Sequence, residues 1–256
     1  MRLGRAARRL TRDPDAPAVF LSPHLDDAVL SAWSVLTAPG ALAVVTVCAG
    51  DPPPGEPAKW DRLPGATDPV ERMAARREED RAALAAAGRE PVHLPFADLE
   101  YRPGRPLRPA DVLEALAGVA PAASLLYAPT GIGGHPDHLQ VREAALALAE
   151  AGLPVAFYAE LPYAVRYGWP AWVTGAAPPD LLDPDVYWAA WVEPLGGGGE
   201  PDVRTLDDAA AAAKLAAIEA YRTQFPALNA GHLDWLRNPL TLRHEVVWRT
   251  GSGAGE

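Results

Sequence analysis

Two short stretches hold most of the side chains able to do chemistry. The first is Ser22-Pro-His24-Leu-Asp26-Asp27; the second is Gly133-Gly-His135-Pro-Asp137-His138. Two imidazoles and a carboxylate with a fourth position left open form the donor set of catalytic zinc sites, and His24, Asp27 and His138 supply it. His24 and Asp27 stand three apart at a strand-to-helix turn, so both can face one point. His135 and His138 repeat that spacing. With both as ligands a cation would be saturated, so one of them, His138, is assigned. Asp26 then sits beside the cation, free to take a proton from water whose pKa zinc lowers toward ~7. His135 is left as a proton donor or as the partner of an oxyanion in a tetrahedral intermediate. Taken singly, Asp27 also reads as a helix cap and His138 as a surface helix histidine. Their joint occurrence after two strands, in proline-bracketed loops, favours the site. His93, His232 and His244 have no such partners. Gly131–Gly134 is not the dinucleotide fingerprint and is a weak phosphate signal.

The elements that must position these residues follow from the apolar pattern. Ala18–Ser22 reads as a buried strand, Asp27–Leu36 as a helix stopped by Pro39-Gly40, and Ala41–Cys48 as a continuous β-branched strand of a parallel sheet. Gly50–Pro69 is a long Pro/Gly/Asp-rich loop of the kind that is more often functional than idle. Asp68-Pro69 opens a helix running to Ala87 and ending at Gly88. Pro91–Phe96 is a strand, Asp111–Ala117 a helix, Ser124–Ala128 a strand, Asp137–Ala151 a helix and Pro154–Ala159 a strand. This alternation predicts an α/β fold with a doubly wound, mostly parallel sheet, whose ligand rim lies at the C-terminal ends of the strands. Past residue 160 the pattern turns aromatic and Gly/Pro-rich. Val186–Val192 alternates weakly, as an edge strand would. Asp207–Thr223 is a helix, Trp248 ends a last strand, and the tail from Gly251 is expected to be disordered.

Composition narrows the function classes. The 256 residues carry a formal net charge of -10, which argues against nucleic acid as a partner. Cys48 is the single cysteine, so an intrachain disulfide framework and a Cys-rich zinc module are both excluded. The longest clean apolar run, Ala41–Ala49, is about half of the roughly 20 residues a spanning helix needs, so no transmembrane segment is expected. Arg2, Arg5, Arg8, Arg9 and Arg12 are followed by no apolar stretch, as a secretory signal would require, and residues 1–16 read as a basic arm or short helix. The expected location is the cytoplasm. Abundant Ala and Arg with only Lys59 and Lys214 as lysines is the bias of a GC-rich bacterial coding sequence.

With these residues in view, the chain resembles the LmbE-like, or PIG-L-type, zinc-dependent N-acetylglucosaminyl deacetylases over roughly residues 17 to 225. That family opens with histidine, proline, two aspartates and a glutamate; here the stretch is His24-Leu25-Asp26-Asp27-Ala28. Its second motif is intact as His135-Pro136-Asp137-His138. Arg76 and Glu79 ahead of Gly88, and Lys214 through Tyr221 to Gln224, resemble two further patterns. The resemblance implies a single Rossmann-like domain over residues 1–256, holding one Zn2+ on His24, Asp27 and His138. It also implies Asp26 as general base and His135 on the oxyanion or as acid, with Asp137 orienting a neighbouring histidine. Asp98, after the third strand, matches an aspartate that the family places near the sugar. Arg76 is left between reaching the substrate and pairing with Glu79. Leu25 and Ala28 depart from the family, and the lost glutamate removes a carboxylate near the site.

The implied reaction is hydrolysis of the N-acetyl group of an amino-sugar substrate. Tyr158, Glu160, Tyr163 and the aromatic segment Trp169–Trp191, within residues 160–205, would shape the acceptor side, although part of such a set serves as plain core. Two other readings stand beside it. One is a zinc amidase of the same fold acting on a thiol conjugate or a lipid-linked sugar. The other is a sugar- or nucleotide-binding module without turnover.

Overall fold

A computed structural model describes residues 2–63, 65–176, 183–195, 200–225, 228, 236 and 238–249. Its strands are β1 Thr11–Arg12, β2 Ala18–Ser22, β3 Leu42–Thr46, β4 Pro91–His93, β5 Ala122–Ala123, β6 Leu126–Pro129, β7 Val155–Tyr158, β8 Asp202–Thr205 and β9 His244–Arg249. The helices used below are α1 Arg2–Ala7, α2 Asp27–Ser31, α3 Trp33–Leu36, α4 Lys59–Arg62, α5 Pro69–Ala85, α6 Pro109–Val119, α7 Pro136–Glu150, α8 Ala171–Thr174, α9 Pro184–Val192 and α10 Asp208–Ile218.

The seven-stranded sheet runs β4-β3-β2-β6-β7-β9-β8. Its first five strands pair in parallel, with Ser22 opposite Thr46 and Phe20 opposite Tyr127. β9 and β8 join antiparallel. Successive residues of β2 point to opposite faces and both faces are covered. Val19 and Leu21 pack with α1, α6 and α7, while Phe20 packs with α2, α3, α5 and α10. That is why the strand reads as an unbroken apolar run. The chain winds outward from β2 through β3 to β4, then returns to β6 on the other side of β2. The order therefore reverses between β2 and β6, and the crevice beyond their C-terminal ends is where open α/β sheets bind ligands. Both motif loops leave from there. Among the described residues no helix is long and apolar enough to cross a membrane.

Three sequence expectations need correction. The expected helix Asp27–Leu36 is two short helices broken at Ala32, which lies at φ -148 and ψ 42. The Glu245 carboxylate, from β9, accepts from Trp33 N at 2.7 Å and Ser34 N at 2.8 Å, diverting these donors from the helical ladder. Lys214 Nζ, buried, holds the same carboxylate at 2.8 Å. Val186–Val192 is not an edge strand but the body of α9, opened by Asp183, whose side chain accepts from Asp185 N and Val186 N, and by Pro184 at the first helical position. The edge strand on this side of the sheet is β8. The helix expected over Asp207–Thr223 stops at Ile218, where Ala220 N and Tyr221 N turn back to Ala217 O and Ile218 O. The basic N-terminal segment forms a short helix, one of its two readings, with Ala6, Ala7 and Leu10 buried against α6 and α7 and β1 pairing with β5. The tail from Gly251 lies outside the described residues.

Glu245 and Lys214 thus join three distant segments. Lys214→Met strands a buried carboxylate, and we expect it to cost about 3–5 kcal/mol of stability, read as a lowered urea midpoint. Lys214→Met/Glu245→Gln should recover part of that loss.

Candidate functional site

β2 ends at Ser22, whose Oγ donates to His24 O at 2.6 Å and accepts from Ala28 N at 3.1 Å. This folds the next residues into a tight turn. Asp27 Oδ2 accepts from His24 N at 2.8 Å, so the carboxylate braces the turn that carries its neighbour. Across the switch point, Gly131, Gly133 and Gly134 all have positive φ. A Cβ on Gly133 would meet the Tyr163 ring at 2.7 Å, and one on Gly134 would meet Trp191 at 2.8 Å. The glycines therefore let two aromatic rings lie directly on this turn. His135 then caps α7, its Nδ1 accepting from Asp137 N at 3.2 Å, and Pro136 takes the first helical position.

These turns bring three donor atoms together. His24 Nδ1 lies 3.2 Å from His138 Nε2 and 3.4 Å from Asp27 Oδ2, and His138 Nε2 lies 3.2 Å from Asp27 Oδ2. Zinc–nitrogen and zinc–oxygen bonds of 2.0–2.2 Å imply tetrahedral edges of about 3.3–3.6 Å. The triangle fits that size. His24 offers its other nitrogen to a second group, with Asp137 Oδ2 at 3.4 Å and Cys48 nearby. That group fits a cation less well. Asp137 already accepts from Leu99 N and Arg102, and burial pushes the Cys48 thiol up to about 11, leaving it protonated.

Electrostatics separate the roles. Burial opposes charge on His138, yet Asp27 and then Glu160 outweigh it, pushing the imidazole up to about 9. Burial likewise would raise Asp27, but His138 and His24 hold its carboxyl far below the usual range. Asp26 is the opposite case: burial, then the Asp27 charge, push it up to about 6 against the pull of His24 and Arg76. Two adjacent carboxylates thus diverge, one fixed as an anion and one poised to exchange a proton. His135 is pushed down to about 4 by burial and by the His24 and His138 charges. It is neutral at pH 7, and with Nδ1 accepting, its hydrogen sits on Nε2.

A family model for the PIG-L family, GlcNAc-PI de-N-acetylase, matches residues 19–149, just over half of the chain and both motif turns. The chain belongs to the PIG-L family. Among solved structures, the A40926 pseudoaglycone deacetylase Dbv21 is 29% identical with a TM-score of 0.66, covering 92% of this chain and 97% of that one. The zinc-inhibited form of the teicoplanin deacetylase Orf2 is 26% identical with a TM-score of 0.68, covering 93% and 97%. The N,N'-diacetylchitobiose deacetylase of Pyrococcus horikoshii, 16% identical with a TM-score of 0.56 over 93% and 85%, shares the fold. No curated protein sequence matches.

Against the PIG-L pattern, Leu25 and Ala28 are buried away from the donor triangle. Leu25 clusters with Ala49 and Met73, and Ala28 belongs to the main core. The structure brings Asp98 to the site, its Oδ2 3.7 Å from His24 Nε2, and sets the Tyr163 ring 5.4 Å from that of His138. Asp137 faces His24. Arg76 does not pair with Glu79, which accepts from Thr223; its Nη2 instead lies 2.8 Å from Asp61 Oδ1. Tyr158 is core, stacked on Phe20 and donating to Leu21 O. Glu160 is not on the acceptor side either. It is fully buried behind His138, 3.1 Å from Nδ1, and accepts from Thr130 N and Gly131 N. Since Glu160 accepts from two backbone N–H groups, its contact with Nδ1 is met by a hydrogen on that nitrogen, which aims Nε2 at the triangle. Trp188 is also core, wedged among Trp169, Trp172 and Trp248.

Sequence reasoning missed Glu160's position, Asp61, Tyr101 and Arg102. The polar residue just beyond the buried strand β7 was a usable signal for the first; the others lie in one-turn helices or the short loop after them, too short to show a period. Tyr101 Oη donates to Asp61 Oδ2 and accepts from Ala58 N at 3.0 Å, while Glu100 accepts from Trp60 N at 3.1 Å. Asp61, 2% exposed between Tyr101 and Arg76, thereby pins the long loop to α5 and to the segment after Asp98. Asp61→Asn and Tyr101→Phe are expected to accelerate proteolytic cleavage within residues 50–69 several-fold, with cleavage elsewhere unchanged, as followed by mass spectrometry.

Proposed function

We propose that this protein is a zinc-dependent N-deacetylase that removes acetate from an N-acetylated amino sugar carried on a larger natural product. The observation that carries the reading is the triangle of His24 Nδ1, Asp27 Oδ2 and His138 Nε2, with the raised carboxyl of Asp26 next in sequence to Asp27. A divalent cation held by those three atoms would polarise the acetyl carbonyl and acidify water.

The chain's own residues supply the rest. Asp26 accepts the proton of the attacking water; in the metal-free chain burial and the Asp27 charge raise its carboxyl, which suits it to hold that proton. Water oxygen bonds to the carbonyl carbon, the carbon–nitrogen bond breaks, and the proton on Asp26 passes to the departing amine. Acetate and a free amino sugar result. His135, neutral with its hydrogen on Nε2, serves as hydrogen-bond donor to the oxyanion rather than as an acid. Asp98 and Tyr163 flank the histidines, where sugar hydroxyls and a ring face would lie.

Support for a bulky acceptor comes from two directions. The neighbours at 26–29% identity are deacetylases of teicoplanin and of the A40926 pseudoaglycone. In this chain, Trp60 and Leu63 are 51% and 58% exposed on the loop that Glu100 and Tyr101 tie beside Asp98. Exposed apolar side chains on that loop suit a large aglycone better than a free monosaccharide.

The test is zinc content together with acetate release from N-acetylglucosaminyl glycosides. Asp26→Asn should keep one zinc per chain and lose about 10²–10⁴-fold in kcat; an undiminished rate would overturn its role. His138→Ala should lose tight zinc binding. An unchanged stoichiometry there would overturn the ligand set.

Zinc binding should also release protons. Below about pH 9 His138 carries a proton that a cation must displace, and His24 is raised in the same sense, with Asp137 and Asp27 outweighing its burial. Affinity therefore falls as pH falls. Between about pH 8 and pH 6 it should drop by roughly tenfold or more per unit. Calorimetry in buffers of different ionisation enthalpy would count the protons, and a pH-independent affinity would contradict the assignment.

A further inference from the structure

We infer that Arg102 is a positioning residue for this site, acting through Asp137 on His24 and on the loop that carries Asp98. The inference rests on the metal reading above, but its geometry does not.

All three guanidinium nitrogens of Arg102 are engaged. Nε donates to Ala97 O at 2.6 Å, Nη1 to Arg105 O at 3.1 Å, and Nη2 to Asp137 Oδ1. Two of these partners bracket the loop 97–105, and the third lies in the first turn of α7. Asp137 is fully buried. Its other oxygen, Oδ2, accepts from Leu99 N at 3.2 Å and lies 3.4 Å from His24 Nε2. Arg102 therefore straps the loop to the motif turn, and Asp98 is carried between two fastened residues to within 3.7 Å of His24.

The choice of arginine has a physical reason. A buried carboxylate needs a counter-charge. The planar fork can give one while also holding two carbonyls in fixed directions, which an ammonium group cannot. Without it, Asp137 loses the bond that sets its rotamer. The His24 ring then loses a fixed partner on the side facing away from the triangle. Partners of this kind typically change metal affinity by 10–100-fold.

Arg89 provides a control. It also clamps backbone carbonyls, of Leu36, Ala38 and Gly40, but touches none of the site residues. The experiment compares wild type, Arg102→Met, Arg102→Lys and Arg89→Met in two measurements. The first is the zinc dissociation constant, by competition with a chromophoric chelator. We expect Arg102→Met to weaken zinc binding 10–100-fold and Arg102→Lys to recover part of it, with Arg89→Met lowering Tm but leaving the constant unchanged. The second is hydrogen exchange of the metal-free proteins. Arg102→Met should speed exchange of the Leu99 amide by about tenfold or more, whereas Arg89→Met should not. Wild-type affinity and unchanged Leu99 exchange in Arg102→Met would overturn the inference, as would equal effects from Arg89→Met at equal loss of Tm. A wild-type chain that takes up no zinc overturns the metal reading, and the exchange result then decides the role of Arg102 by itself.

Discussion

His138 is wholly buried between two carboxylates, Asp27 at 3.2 Å and Glu160 at 3.1 Å. Little else in the crevice makes sense without that sandwich. Four carboxylates, Asp26, Asp27, Asp137 and Glu160, lie under 10% exposed at the end of a sheet covered on both faces. So many buried anions are sustainable only where positive charge or strong donors meet them. The fold supplies both. Glu160 takes backbone N–H groups from the glycine turn, Asp27 takes one from the β2 turn, and the imidazoles fill the space between. Asp26 is left without a side-chain cap bond and with a like charge beside it, and it is the carboxyl that moves into the titrating range. Poise at one residue follows from satisfaction at the others.

Sheet topology decides where the sandwich can be built. Glu160 follows β7, His138 follows β6 and His24 follows β2. These three strands are adjacent, in the order β2-β6-β7. Parallel pairing puts their C-terminal ends on one rim, so residues separated by more than a hundred positions meet within 3.4 Å. The same reversal of order at β2 and β6 opens the crevice that a substrate would enter.

What the sequence made legible was whatever is written locally. Strand β2, the helix α5 with its Asp68-Pro69 start, and both motif turns depend on neighbours a few residues away, and their composition shows it. The break at Ala32 was illegible because its cause, Glu245, sits at the far end of the chain and arrives only through tertiary pairing. The α9 segment was misread for a different reason. Its aromatic and β-branched residues favour a strand, but Asp183-Pro184 supplies the same start signal that had identified α5, and capping outweighed propensity. In the site, the three donor atoms of the triangle came from motif residues. Glu160 and Arg102, which brace them, lie just past strand β7 and in the loop after Asp98, while Asp61 and Tyr101, which fasten the long loop, sit in one-turn helices; no period announces any of these partners.

The departures from the family motif fit this division. Leu25 packs against Ala49 and Met73, and Ala28 faces the main core while its N–H binds Ser22 Oγ. Neither side chain could reach the triangle from where the turn puts it. The turn itself survives the loss of proline because Ser22 and Asp27 fold it by hydrogen bonds to His24 O and His24 N. What holds the donor atoms in place is therefore the pattern of backbone bonds accepted and donated by side chains on either side. A motif can lose its proline and its glutamate and still present the same three atoms. It could not lose Ser22 or Glu160 on the same terms, since each satisfies buried backbone groups at the turns that carry His24 and His138.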